Sequence, residues 1–294
     1  MPPTEPPRID TAPDGGEAAD PNEGSAPPAT LPPELTGARV LLVEDNPINQ
    51  EVACGLLQIL GLEVEVAGDG EQAVARSAWI RYDLILMDVQ MPVVDGIEAT
   101  RLIRAQPERG DVPIIAMTAD ATPADKERCV AAGMNDHIAK PIGLHTLVPT
   151  LSRWLRGEAD DPARQPATPA PPEPAAEIAV ADADVFDPRL GMKIAAGDPV
   201  EFAALMRRFV DFTQTDIDEL KRRLDGGQVE ESIRRAHSIA GSAAMIGANE
   251  VSKLARAMLV RLRAAEPLPE IAPAASDLEA SLARLDATVR QLEG

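Results

Sequence analysis

Two rhythms of apolar residues divide the chain. From about residue 38 to 156, short apolar runs alternate with stretches of helical spacing. Val40-Leu41-Leu42-Val43 ends in Glu44-Asp45, and Ile48, Val52, Leu56 and Ile59 follow three or four residues apart. Leu62 to Val66 alternates like a strand, Gly70 to Trp79 reads as a helix, and Leu84-Ile85-Leu86-Met87 is an apolar run ending in Asp88. A helix over Asp95 to Arg104, a strand over Val112 to Met117 ending at Thr118, and a helix over Pro123 to Ala132 come next. Ile138-Ala139 then leads into Lys140-Pro141, and Gly143 to Leu155 closes as a helix. Five short buried strands alternating with five helices predict a parallel sheet covered on both faces. Ligand chemistry in such sheets collects at the carboxyl ends of the strands.

The C-terminal third has no strand-like runs. Asp198-Pro199 followed by Glu201 gives an N-cap, a proline at the first helical position and a capping-box acid. The helix it starts carries Phe202, Leu205, Phe209, Leu220 and Leu224 and stops at Gly226-Gly227. A second helix runs from about Gln228 to Ile246 and a third from Asn249 to Ala265. Ser276 with Glu279 caps a fourth, whose Leu278, Leu282, Leu285, Val289 and Leu292 step by four and three. Four amphipathic helices on short connections predict an all-α four-helix bundle.

Composition adds two segments without a core. Residues 1–36 and about 158–183 are rich in Pro and Ala, hold almost no large apolar side chains, and carry about half of the net charge of −20. Such segments bury too little surface to offset their ordering entropy, so both are expected to be disordered, the second as a Pro-rich tether. The expected organisation is a tail over 1–36, an α/β domain over 37–157, a linker over 158–183 and a helical bundle over 184–294. Only 2% of residues are aromatic, so the cores must be aliphatic. The acidic balance speaks against a nucleic-acid partner. No stretch approaches the ~20 apolar residues of a membrane span and the N-terminus has no secretory core, so no membrane partner and a cytoplasmic location are expected. Cys54 and Cys129 sit apart with no CxxC spacing and are expected to be reduced thiols.

The ends of the strands change the picture most. Glu44, Asp45 and Asp88 terminate runs that are neighbours in a parallel sheet, and carboxylates within ~4 Å of one another repel by several kcal/mol per pair at an effective dielectric near 20. Protons or a hard cation must neutralise them, and oxygen-only ligands suit Mg²⁺. Lys140 adds a positive charge and Thr118 a hydroxyl at the same edge. The set reads as a site where one carboxylate attacks phosphorus while metal and ammonium stabilise charge on the phosphoryl oxygens. A lone Asp after a strand usually caps a helix and a lone Lys before Pro usually lies at the surface. Five such residues in order at successive strand ends are not explained that way.

These motifs, LLVEDNPINQ, LILMDVQMPVVDGIEATRLIR, IIAMTA and GMNDHIAKPI, resemble the response-regulator receiver family, especially receivers attached to hybrid histidine kinases, over about residues 38–156. The resemblance implies a flavodoxin-like fold in which Asp88 accepts a phosphoryl group. Glu44, Asp45, Asp88 and the backbone carbonyl of Gln90 would hold Mg²⁺, Thr118 and Lys140 would contact the phosphoryl oxygens, and Lys140-Pro141 would be cis. His137 departs from the family, which commonly has Tyr or Phe there as a switch residue.

In ESIRRAHSIAGSAAMIGANE, Ala236, Ile239, Ala243 and Ile246 form a buried stripe from which His237 is displaced toward solvent. Gly241, one turn on, costs ~1 kcal/mol relative to Ala but lets another protein approach the imidazole. An exposed His is partly neutral near pH 7, with a ring nitrogen able to attack phosphorus, and Arg234 and Arg235 would attract an acidic mouth. His145 has no comparable setting. Over about residues 186–293 the stretch resembles the histidine-phosphotransfer (HPt) family through Ala236-His237, Gly241-Ser242, Ala243 and Gly247, with Ala240 standing where the family usually has Lys.

Together the resemblances imply a carrier in a two-component phosphorelay: Asp88 takes phosphoryl groups from a sensor histidine kinase, and His237 relays them to or from the aspartates of this or other receivers, with other receiver or HPt domains as partners. No kinase ATP-binding motif is visible, so the chain is expected to be a phosphoryl carrier rather than an enzyme. A different class remains open, a binding module whose helical part docks receivers without efficient transfer. An aspartate-based phosphatase fits poorly, because Gln90 stands where its second Asp would be.

Overall fold

The computed structural model describes residues 31–107, 110–118, 123–157, 186–195 and 197–292. Most of the expected tail and the tether lie outside these residues. Residues 33–35, inside the segment expected to be tail, form a single 3-10 turn that buries Leu35 together with Leu31.

The first module alternates β1 (Arg39–Val43), α1 (Pro47–Ile59), β2 (Glu63–Ala67), α2 (Gly70–Trp79), β3 (Leu84–Asp88), α3 (Gly96–Arg104), β4 (Ile114–Thr118), α4 (Pro123–Ala132), β5 (Asp136–Ala139) and α5 (Leu144–Leu155). The strands are all parallel in the order β2-β1-β3-β4-β5. This is the flavodoxin-like α/β arrangement expected from the pattern. The continuous apolar runs serve two faces. Val40, Leu42, Leu84, Leu86, Ile115 and Met117 meet α1 and α5, whereas Leu41, Val43, Ile85, Met87, Ile114 and Ala116 meet α2, α3 and α4. A period of two inside an all-apolar strand thus divides it between two half-cores.

The second module holds α6 (Arg189–Ile194), α7 (Pro199–Asp225), α8 (Val229–Ile246), α9 (Asn249–Arg263) and α10 (Leu268–Leu292). α7 packs on α8 and α10, and α9 on the same two, closing a four-helix ring around Phe209, Ile217, Ile239, Met258 and Leu278. Two details differ from the sequence reading. The last helix begins at Leu268 rather than at Ser276 and runs through Pro273. The short α6 precedes the bundle, too brief and interrupted by Gly191 to show a helical period.

The buried cluster on the α1 side of the sheet continues into the bundle, where α1 lies against α6, α7 and α8. Among the described residues no helix is long and apolar enough to cross a membrane.

Candidate functional site

Each acidic residue is positioned by a strand end. Register pairs Val43 of β1 with Met87 of β3, which places Glu44, Asp45 and Asp88 side by side at the carboxyl edge of the sheet. One oxygen from each of the three lies within 4.8 Å of the others. β4 sets Thr118 at the same edge, and its carbonyl accepts from the Lys140 amide at 2.7 Å. The Lys140-Pro141 bond is cis.

Lys140 Nζ donates to Glu44 Oε2 at 2.6 Å and to Asp88 Oδ2 at 2.8 Å, with side chains of all three nearly shut off from water. Burial alone would depress the Lys140 pKa, but Asp88 and Glu44 outweigh it and hold the ammonium firmly charged. Burial pushes the Asp88 carboxyl up, against the pull of Lys140 and of the Gln90 amide, which donates to Asp88 Oδ1 at 3.1 Å. Burial and Asp88 also push Glu44 up, to about 6, offset in part by Lys140 and by Asn49, whose amide donates at 2.8 Å. Asp45 sits at the rim, and among the described residues no ion pair reaches it. The surrounding protein and Glu44 raise its pKa to about 6.

One ammonium thus serves three carboxylates. Removal from water, and after it the neighbouring carboxylate, raises the pKa of both Glu44 and Asp45 despite Lys140, and the donors are all oxygen, a set that fits Mg²⁺. When bound, such an ion would screen charge on phosphoryl oxygens.

His137 is on β5, half-buried, with its pKa lowered by burial and by Lys126. It stands beside Asp136 and outside the carboxylate cluster. Cys54 is half-buried and Cys129 buried, and they form no disulfide.

His237 lies on α8, half-buried, between Ala236 in the bundle core and Ser238, whose hydroxyl accepts from Asn46 Nδ2 of the first module at 3.0 Å. The small residues after it are buried, and Gly241 borders Asn49 of α1, to which a Cβ would come within 3.9 Å. Gly247 ends α8 at φ +82°, and a Cβ there would meet the Asp187 carbonyl at 2.1 Å. The two arginines diverge. Arg234 turns back to Glu231, whereas Arg235 crosses to Asp216 of α7.

Sequence reasoning missed Asn46, Asp216 and α6. Asp216 carried a readable signal, a carboxylate in the buried stripe of α7 between Phe209 and Leu220. Asn46 was visible as an Asn-Pro helix start, which accounts for it as a cap without pointing to Ser238.

The protein thus joins a flavodoxin-like sheet with a lysine-bridged acidic edge to a four-helix bundle with a histidine on one helix. Residues 40–152 match the family model of the response regulator receiver domain, and residues 204–288 match that of the Hpt domain. It is 32% identical to the signal transduction histidine-protein kinase BarA of Escherichia coli K12 over 80% of this chain and 25% of that one. It is 30% identical to the sensor protein GacS of Pseudomonas syringae over 86% of this chain and 27% of that one. The chain therefore spans about a quarter of the length of these curated relatives. Among solved structures, the receiver domain of sensor histidine kinase PA1611 from Pseudomonas aeruginosa, crystallised with magnesium in its active-site cleft, is 52% identical, covers 41% of this chain and 99% of that one, and gives a TM-score of 0.39. The two domains give the chain a place in a two-component phosphorelay.

Proposed function

We propose that Asp88 is the phosphoryl acceptor of the first module and His237 that of the second, and that phosphoryl groups pass between them or to and from other receiver and HPt domains. The observation that carries this reading is Lys140 bonded to both Glu44 and Asp88 at an edge beside α1, the helix on which the His237 helix packs and whose cap Asn46 bonds Ser238. A sensor histidine kinase is the donor, and the chain is a carrier located in the cytoplasm with it. Both modules lie on one chain, which keeps them at high effective concentration.

Uptake at Asp88 forms an O–P bond as the donor histidine nitrogen takes the electron pair of its broken N–P bond. Transfer onward reverses the polarity. A neutral ring nitrogen of His237 attacks phosphorus, the Asp88 O–P bond breaks with its electron pair left on the carboxylate, and the second ring nitrogen gives its proton to solvent. Lys140 and Thr118 hold phosphoryl oxygens at Asp88, and Glu44, Asp45, Asp88 and the Gln90 carbonyl hold Mg²⁺. The test is labelling of the full chain with [³²P]acetyl phosphate and Mg²⁺. Base-labile acyl phosphate is expected to disappear in Asp88→Asn, and acid-labile, base-stable label in His237→Gln. Base-stable label that survives His237→Gln would refute the assignment.

A second reading draws on Ala240, which places a buried methyl where the family usually has a lysine. The bundle would then dock receivers without efficient transfer. Binding of a phosphorylated receiver without movement of label to His237 would favour it.

A further inference from the structure

A chain of hydrogen bonds joins the acidic edge to the helix bearing His237, and its proton directions are fixed by the groups it contains. Asn46 Oδ1 caps α1 by accepting from the Ile48 amide at 2.9 Å and the Asn49 amide at 3.3 Å. The Asn46 amide nitrogen therefore faces the bundle, where it donates to Ser238 Oγ at 3.0 Å. Having accepted there, the serine hydroxyl spends its own proton on Asp216 Oδ2 at 3.2 Å. The other oxygen of Asp216 accepts from Arg235 Nη1 at 2.9 Å.

Asp216 is 3% exposed inside a helical bundle, and a buried carboxylate that accepts on both oxygens requires a cation. Arg235 supplies it while keeping 42% of its side chain open. From there it shares Asp216 with Ser238, the residue that meets Asn46 of the receiver. Arg234, next to Arg235 in sequence, is spent on Glu231 one turn back. The bundle thus ties Arg234 back along its own helix and Arg235 across to α7, beside the Ser238 that meets the receiver.

We infer that Arg235, fixed by Asp216 and Ser238, is the positioning cation through which the helical module aligns on the receiver's acidic edge for transfer at His237. Asn46 is the receiver's half of that contact. The inference rests on the proposed phosphotransfer and adds to it which cation offsets the carboxylates when the two modules meet. A guanidinium held by a buried carboxylate pays less side-chain entropy on docking than a free lysine, and it steers as well as binds.

The test uses the full chain, charged at Asp88 with [³²P]acetyl phosphate and Mg²⁺, and follows base-stable label at His237 against time and salt. Arg235→Gln is expected to slow transfer about tenfold and Arg235→Lys to restore part of it. Asp216→Asn should slow transfer as Arg235→Gln does. Acyl phosphate formation at Asp88 should be unchanged in all three. Raising salt should slow the wild-type chain and have little effect on Arg235→Gln, a response that a purely structural role for the arginine would not give. Wild-type rate and salt dependence in Arg235→Gln would overturn the inference and leave the phosphotransfer reading standing. Absence of base-stable label in the wild-type chain would defeat both.

Discussion

Lys140 is the residue on which the charge balance of the acidic edge turns. Two carboxylates are bonded to it and a third is not, so Asp45 carries the unmet charge in the metal-free protein. Its pKa is about 6 in the fold against an ordinary 3.8, so the folded state holds the proton more tightly than the unfolded one. Ionised Asp45 therefore destabilises the fold, with no penalty below pH 3.8, a growing one between 3.8 and 6, and the full one above. Asp45→Asn is expected to stabilise the protein in EDTA at pH 8 by about 1 kcal/mol, a value discounted because Asp45 reaches water. That gain should vanish at pH 3.5 and reverse when Mg²⁺ is added. Thermal melts at the two pH values, with and without Mg²⁺, measure it. A loss of stability at pH 8 in EDTA would contradict the charge argument. The same carboxylates should bind Mg²⁺ less tightly as pH falls below 6, because protons compete for the ligand oxygens.

Between elements, the junction of α8 with the segment before α6 shows why Gly247 stands where it does. The helix ends in a left-handed residue, and the chain entering the module crosses that end, with the Asp187 amide donating to the Gly247 carbonyl at 2.8 Å. Gly247→Ala meets two penalties at once, a positive φ and the Asp187 carbonyl at 2.1 Å. Expected destabilisation exceeds about 1–2 kcal/mol, read as a lower urea midpoint for the bundle. An unchanged midpoint would mean that residue 187 moves aside at no cost. The helices of the bundle were legible from their apolar stripes, and so were the strands of the sheet. α6 was not, because six residues containing a glycine show no period, and its position comes from contact with α1, α7 and α8.

Over the whole molecule, the contact between modules mixes a continuous apolar cluster with polar pairs. Arg208 pairs with Glu51 where both are partly exposed, which contributes at most ~1 kcal/mol. Asn46 bonds Ser238, and the Ile142 amide donates to Met245 Sδ at 3.1 Å. Ile194 of α6 sits over Gly55 of α1, where a Cβ would fall 2.7 Å from its Cγ2. Gly55→Leu drives its first added carbon into Ile194 of α6, so it is expected to undock the modules while leaving the receiver folded. Small-angle scattering should show a larger radius of gyration with Mg²⁺ binding unchanged, whereas an unchanged radius would show that α6 yields to the side chain.

The acidic edge could be read directly, because successive strands of a parallel sheet deliver their terminal residues to one side whatever the packing of the rest. Periodicity likewise determined the two fold classes, since buried strands and amphipathic helices write their faces into local spacing. Pairing of Lys140 with Glu44 and Asp88 rather than Asp45, the divergence of Arg234 from Arg235, and the apposition of α8 to α1 were settled only in three dimensions. Each depends on which groups meet once elements pack, from 19 residues apart for Arg235 and Asp216 to 192 for Asn46 and Ser238, and the local period of the chain does not report such meetings.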